Sequence, residues 1–414
     1  MIEINETTRA FINAHREDDV NELALRGSKN KDLNLPLALM QIEGWQKARK
    51  KLPSWSNNPD ILYPTRIALE QCSSEYTANY KQELMSERGG VFDRMVDLTG
   101  GFGVDTVMLG QLFGQVIYVE QKDALCEIAS RNFATIGMRH VRVVQGDSMQ
   151  YFQSMEPCNL IYIDPSRRND NGNKVVSIED CEPNVRRILY PLLEKADTVM
   201  IKLSPMHDIT EAVKSLFGQV EEVHVVSVDN ECKELLLMAS RMERKDYVKV
   251  VTVNISSKGL KTQVVSGILK DSFSRATHNI AMSLGKYMYE PNASLMKARL
   301  FKPMVNRWPV EKLHTFTHLF TSDQLYPDFP GLIYEVEHVD DFSREGVRRI
   351  MNGVEKAAVK ARNFFMDSKD LRERLRVKDG DETCIYGVTM GEGKKTLIRC
   401  KKVVPPRIEL GSKV

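Results

Sequence analysis

From residue 6 to about residue 88 the apolar positions fall at mostly helical spacings. Ala24, Leu25, Leu37, Leu39, Met40, Ile42 and Trp45 recur in that rhythm, with Pro36 and Pro53 as breaks. This pattern predicts a helical N-terminal region. Residues 52–64 hold three prolines, two asparagines and Trp55 and read as a loop, after which 65–85 resume helical spacing. From Arg94 the rhythm changes. Short β-branched runs at 95–98, 116–119, 141–144, 160–163, 198–201 and 223–226 alternate with helical stretches, the pattern of a doubly wound, mainly parallel sheet. Residues 234–238 predict a late strand joined to the preceding one by a short connection.

Beyond Arg241 the alternation stops. Residues 248–255 and 262–268 predict a pair of strands, 281–300 a helix, 328–331 a turn, 332–339 a strand, 344–365 a helix, and 371–404 a basic, partly stranded end. The expected organisation is a helical region over 1–75, an α/β domain over 76–243, and small α+β domains over 244–330 and 331–414.

A chain of 414 residues has room for two or three domains, and 42% hydrophobic with 28% charged residues is an ordinary globular composition. No run approaches the roughly 20 apolar residues of a bilayer helix. The first residues carry acids where a secretion signal has a basic and then an apolar run, so the expectation is a cytoplasmic protein with no membrane partner. The seven cysteines, Cys72, Cys126, Cys158, Cys181, Cys232, Cys384 and Cys400, include no C-x-x-C pair and predict neither disulfides nor a zinc site. The net charge of +2 hides an asymmetry. Residues 251–414 hold 28 Lys and Arg against 19 Asp and Glu, +9, which leaves −7 for residues 1–250. A basic C-terminal part fits a polyanion such as nucleic acid or a plain solvated surface.

The chemistry concentrates in Met95-Val96-Asp97-Leu98-Thr99-Gly100-Gly101-Phe102-Gly103-Val104-Asp105. A strand runs into a glycine-rich turn and then a helix, which lets the backbone approach a nucleotide-like ligand at the helix N-terminus. A nicotinamide fingerprint would want a third glycine where Thr106 stands. Three further acids fall at successive predicted strand ends: Glu120, just over 20 residues past Asp97, then Asp147 and Asp164. In such a sheet these ends converge on one edge, where ligands bind, and Glu120 is placed to accept both hydroxyls of a ribose.

These residues resemble the class I S-adenosylmethionine-dependent methyltransferases. The resemblance implies that Asp97, Thr99, Gly100, Gly101 and Gly103 surround the methionine part of the cofactor, that Glu120 takes the ribose, and that Asp147, with Ser148, meets the adenine. Asp164-Pro165-Ser166-Arg167 is similar to the motif [N/D/S]-P-P-[Y/F/W] of enzymes that methylate base nitrogens, with Ser166 for the second proline and Arg167 for the aromatic. It implies that Asp164, Pro165, Ser166 and Arg167 form the catalytic motif. The whole chain resembles a bacterial group that carries a ferredoxin-like insert and a C-terminal THUMP-like domain. The carriers are Gln71-x-Ser73-Ser74-Glu75-x-Thr77-Ala78-x-Tyr80-Lys81, Tyr289-Glu290-Pro291-Asn292-Ala293, Asp328-Phe329-Pro330-Gly331, Arg362-Asn363-Phe364 and Leu375-Arg376-Val377-Lys378-Asp379-Gly380. The implied fold is a Rossmann-like methyltransferase sheet, the implied cofactor S-adenosylmethionine and the implied partner RNA.

On that reading the Asp164 carboxylate and the Pro165 carbonyl would accept the hydrogens of an exocyclic amine. Arg167 and Arg168 would hold a phosphate, and Lys202 and Ser204 would line the acceptor pocket. Three alternatives stay open: a protein or small-molecule acceptor, a non-catalytic binding module, and a nicotinamide oxidoreductase. His314-Thr315-Phe316-Thr317-His318-Leu319-Phe320 would put two histidines and two phenylalanines on one strand face, suited to packing or base stacking. No third ligand accompanies them, so no metal is expected.

Overall fold

Six helices run ahead of the first strand in a computed structural model that describes residues 3–167, 178–216, 218–241, 247–272 and 279–403. They are α1 (Glu6–Ala14), α2 (Val20–Arg26), α3 (Leu35–Lys51), α4 (Pro53–Ser56), α5 (Arg66–Gln71) and α6 (Glu75–Arg88). Asn5, Asp19, Asn34 and Ser74 accept the first free amides of α1, α2, α3 and α6, so the starts are written in the sequence as N-caps.

The chain divides into two compact units, residues 1–221 with 235–244, and 222–234 with 245–414. In the first unit the helices are followed by β1 (Arg94–Asp97), α7 (Val104–Gly110), β2 (Gln115–Glu120), α8 (Asp123–Ile136), β3 (Val141–Gln145), α9 (Ser148–Ser154) and β4 (Cys158–Ile163). Then come the two-residue strands β5 (Ser166–Arg167) and β6 (Cys181–Glu182), α10 (Val185–Lys195), β7 (Ala196–Leu203) and α11 (Ile209–Ser215). β8 (Val220–Val228) and β9 (Glu231–Ser240) are joined by Asp229 and Asn230, both at positive φ, as tight antiparallel connections require.

β1 pairs in parallel with β2 and with β4, β2 with β3 and β4 with β7, while β9 runs antiparallel on β7. The strand order therefore reverses at β1, and the crevice beyond the carboxyl ends of β1 and β4 is where such sheets take ligands. Trp55, Tyr63, Phe102, Tyr118 and Phe133 share one buried cluster, with the Trp55 and Phe102 rings edge to face at 4.9 Å. The N-terminal helices thus pack directly on the glycine turn. Gln41 trades two hydrogen bonds with the Tyr63 backbone and Asn132 two with Leu62, so these buried amides are satisfied.

In the second unit β10 (Lys249–Ile255) lies parallel to β8 and antiparallel to β11 (Gln263–Ile268). A seven-stranded sheet follows, in the order β13-β14-β12-β15-β18-β17-β16. Its elements are β12 (Tyr287–Pro291), α12 (Ala293–Ala298), α13 (Phe301–Arg307), β13 (Glu311–His314), β14 (Thr317–Ser322), β15 (Gly331–Asp341), α14 (Arg344–Ile350), β16 (Ala358–Arg362), α15 (Ser368–Leu375), β17 (Thr383–Met390) and β18 (Lys394–Lys402). No helix among the described residues is long and apolar enough to cross a membrane.

Three sequence expectations fail here. The helix expected over 281–300 is strand β12 and then the short α12. Pro291 disfavours helix at Glu290, and pairing with both β14 and β15 supplies the ladder instead. The helix expected over 344–365 stops at Ile350, Gly353 takes φ +73°, and 358–362 pairs in parallel with β17. His314 and His318 do not share one strand, because the chain turns between β13 and β14.

Candidate cofactor and acceptor site

The turn after β1 is built by its own polar groups. Asp97 is buried, and its carboxylate accepts the Thr99 amide at 2.9 Å and the Thr106 hydroxyl at 2.6 Å. Thr99 in turn accepts the Asp164 amide on its hydroxyl oxygen at 2.7 Å, which ties the turn to the end of β4. Burial raises the Asp97 carboxyl to about 7 against the opposing pull of those two hydrogen bonds. A carboxyl whose folded value lies above its unfolded one gives stability below about pH 4 that is lost as pH rises toward 7. The stability margin of wild type over Asp97→Asn should therefore shrink across that window, read from urea unfolding at several pH values; a margin that grows would contradict the assignment.

Glycine is required at two of these positions for different reasons. A Cβ on Gly100 would lie 2.1 Å from Cε2 of Tyr118, whose hydroxyl donates to the Gly101 carbonyl at 2.5 Å. Gly103 adopts φ +85° and sits against the Phe133 ring. Gly100→Ala should lower stability by about 1–3 kcal/mol through overpacking, measured by chemical unfolding. A wild-type midpoint would show that the ring moves away freely.

Glu120 ends β2 and receives the Gly101 amide on Oε2 at 3.0 Å and the Lys122 amide on Oε1 at 2.9 Å. Each carboxylate oxygen has two acceptor positions, so both retain capacity for a further donor. Asp147 caps α9 through Oδ1 and takes Gln121 on Oδ2 at 2.9 Å; Ser148, the first residue of α9, is buried. Gly101 has φ +55°, and a Cβ built there meets nothing nearer than the Thr99 carbonyl at 3.7 Å. The space over Gly101 and the spare acceptors of Glu120 beside it fit a ribose diol, and Asp147 at the end of the adjoining strand fits a base amine.

Asp164 follows β4, and Lys202 at the end of β7 places Nζ 2.5 Å from its Oδ2. Lys202 also stands 3.9 Å from Asp105, which carries a buried cluster of its own. The Asp105 carboxylate receives the Ser73 hydroxyl at 2.7 Å and the Tyr162 hydroxyl at 2.8 Å, and pairs with Lys81 at 3.0 Å. Burial pushes Asp105 up, but Lys81, Lys202 and the two hydroxyls outweigh it and hold the carboxyl at about 2. Sequence reasoning gave Asp105, Lys81 and Tyr162 no site role. The readable signal was Lys81 on the face that α6 shares with Ala78, Leu84 and Met85, where a charge needs a buried partner.

Other expected residues sit differently. Pro165 is buried, while Ser166 and Arg167 form β5 against β6, with the Ser166 hydroxyl 3.3 Å from the Glu182 carbonyl. The Arg167 side chain and all of Arg168 lie outside the described residues. Ser204 accepts the Met206 amide at 3.3 Å within its own turn. Ser74 is the N-cap of α6. Among the described residues no cluster of His, Cys, Asp or Glu could hold a metal.

The fold agrees with a known structure. The crystal structure of a candidate methyltransferase from Porphyromonas gingivalis matches 97% of this chain and all of its own, at 29% identity and a TM-score of 0.85. Family models for a ferredoxin-like domain and a THUMP domain-like segment match residues 287–330 and 331–402. The chain thus combines a methyltransferase domain with ferredoxin-like and THUMP-like domains. Within this methyltransferase fold, residues 50–169 match the model for protein-L-isoaspartate (D-aspartate) O-methyltransferase. An Archaeoglobus fulgidus protein-L-isoaspartate O-methyltransferase 1 is 31% identical over 87 residues, 20% of this chain and 39% of that relative. The chain therefore spans about two fifths of that curated relative.

Proposed function

We propose that the protein transfers a methyl group from S-adenosylmethionine to RNA, on an exocyclic base nitrogen. The observation that carries the reading is the convergence of the Gly100–Gly103 turn, Glu120, Asp147 and Asp164 at one sheet edge, in a chain whose residues 331–402 match a THUMP domain-like model. Glu120 would hold the ribose, Asp147 the adenine amine, and the backbone of Thr99–Gly101 the methionine end. When bound, the cofactor supplies a methyl group already activated on a sulfonium. The chain's share is then positioning, worth several kcal/mol when attack is in line. Asp164 Oδ1 and the Pro165 carbonyl accept the amine hydrogens, and Lys202 fixes the carboxylate through Oδ2. Arg167 and Arg168 would meet an adjacent phosphate. The +9 charge of residues 251–414 would draw the polyanion.

One observation favours a second reading. The isoaspartate methyltransferase match would make a protein carboxylate the acceptor, but it stops at residue 169, before β7 and Lys202. Incubating the full chain and tritiated cofactor with a cell extract, then digesting separately with nuclease and protease, tells the readings apart. Label released by nuclease supports RNA; label released only by protease supports the second reading.

A further inference from the structure

The turn between β13 and β14 exposes Phe316 at its tip, and Phe316 is 71% exposed. The segment after β16 exposes Phe365, 58% exposed, beside Phe342 and Phe364 at centroid distances of 5.3 and 4.6 Å. Asn363 joins the two segments. It adopts φ +51° and donates from Nδ2 to the Thr317 hydroxyl at 3.0 Å, with His314 Nδ1 3.2 Å away; His314 in turn accepts the Phe316 amide. A third segment completes the patch. The Thr389 hydroxyl donates to the Asn363 carbonyl, Lys395 reaches Thr389 at 2.7 Å, and the Phe342 amide bonds the Lys395 carbonyl.

Three stretches far apart in sequence are thus fastened by side-chain hydrogen bonds into one surface with two outward phenyl rings and the exposed Lys394 and Lys395. Arg362 is not among the cations available to a ligand, since Glu290 engages its Nε and Nη2 at 3.0 and 2.9 Å. Two acids lie near the lysines: Glu392 in the same turn, and Asp341, which faces Thr396 across the β15–β18 ladder and also meets Arg349 at 3.9 Å. Fixed, exposed aromatic faces next to lysines suit unpaired bases, whose faces stack while their phosphates meet the ammonium groups. A duplex hides those faces.

We infer that this surface of the second unit binds single-stranded RNA by stacking bases on Phe316 and Phe365, with Lys394 and Lys395 on the phosphates. The inference rests on the RNA reading above. Fluorescence anisotropy of fluorescein-labelled oligouridylate tests it on the full chain. Phe316→Ala should weaken binding by about tenfold, the loss of roughly one stacked base. Phe316→Trp should retain wild-type affinity, and a labelled RNA duplex should not distinguish the variants. The exposed position makes Phe316→Ala harmless to folding, which its unfolding midpoint verifies. Equal oligouridylate binding by wild type and Phe316→Ala, or no binding by wild type, overturns the inference. Methyl transfer to RNA with no contribution from Phe316 sinks this surface alone; stacking through Phe316 with label only in protein sinks the RNA methylation reading alone.

Discussion

Replacing Glu120 with alanine is expected to weaken S-adenosylmethionine binding by about a hundredfold or more in calorimetric titration. Two charge-assisted hydrogen bonds to a ribose contribute about 1.5–3 kcal/mol each. Alanine also frees the Gly101 and Lys122 amides that Glu120 now receives, which loosens the glycine turn. Glu120→Gln keeps one acceptor oxygen and should lose less than alanine. Wild-type affinity in Glu120→Ala would remove Glu120 from the ribose role and leave it as a brace of the turn.

The largest stability effect is expected at Lys81. Its side chain is fully buried, and it pairs with Asp105 at 3.0 Å while donating to the Ser73 hydroxyl at 3.1 Å. Removing one partner of a buried pair leaves the other charge uncompensated, typically at a loss of about 3–5 kcal/mol. Lys81→Met should show a loss of that order in urea unfolding. The double variant Lys81→Met with Asp105→Leu should recover part of it, since replacing a whole buried pair with apolar groups is often near neutral. Equal losses in the single and double variants would mean that packing, not charge, decides the site. Lys202, 3.9 Å from Asp105, still shares its charge, so the single variant should sit at the lower end of the range.

How much of this was legible beforehand depended on whether the information was local. β1, β2, β3, β4 and β7 announce themselves as short β-branched runs alternating with helical stretches, whereas the two-residue β5 and β6 carry no such run, and a cap such as Asp147 marks a helix start. The four acids at strand ends were legible for the same reason: strand ends are places in the sequence. What was lost needed partners far away. β12 reads as a helix until β14 and β15 are beside it, and β16 until β17 is. The bracing of the turn also needed distant partners: the Asp97 carboxylate takes Thr99 and Thr106, and the Thr99 hydroxyl fastens Asp164. The Lys81, Asp105, Lys202, Asp164 chain joins residues from α6, α7, β7 and the end of β4, which no spacing rule connects.

Nucleoside mass spectrometry of total RNA, incubated with the full chain and S-adenosylmethionine, tests the central claim most directly. The account predicts an increase in one base-methylated nucleoside with wild type and none with Asp164→Ala, whose cofactor binding should persist. Methyl groups recovered only in protein, with the RNA nucleosides unchanged, would contradict it.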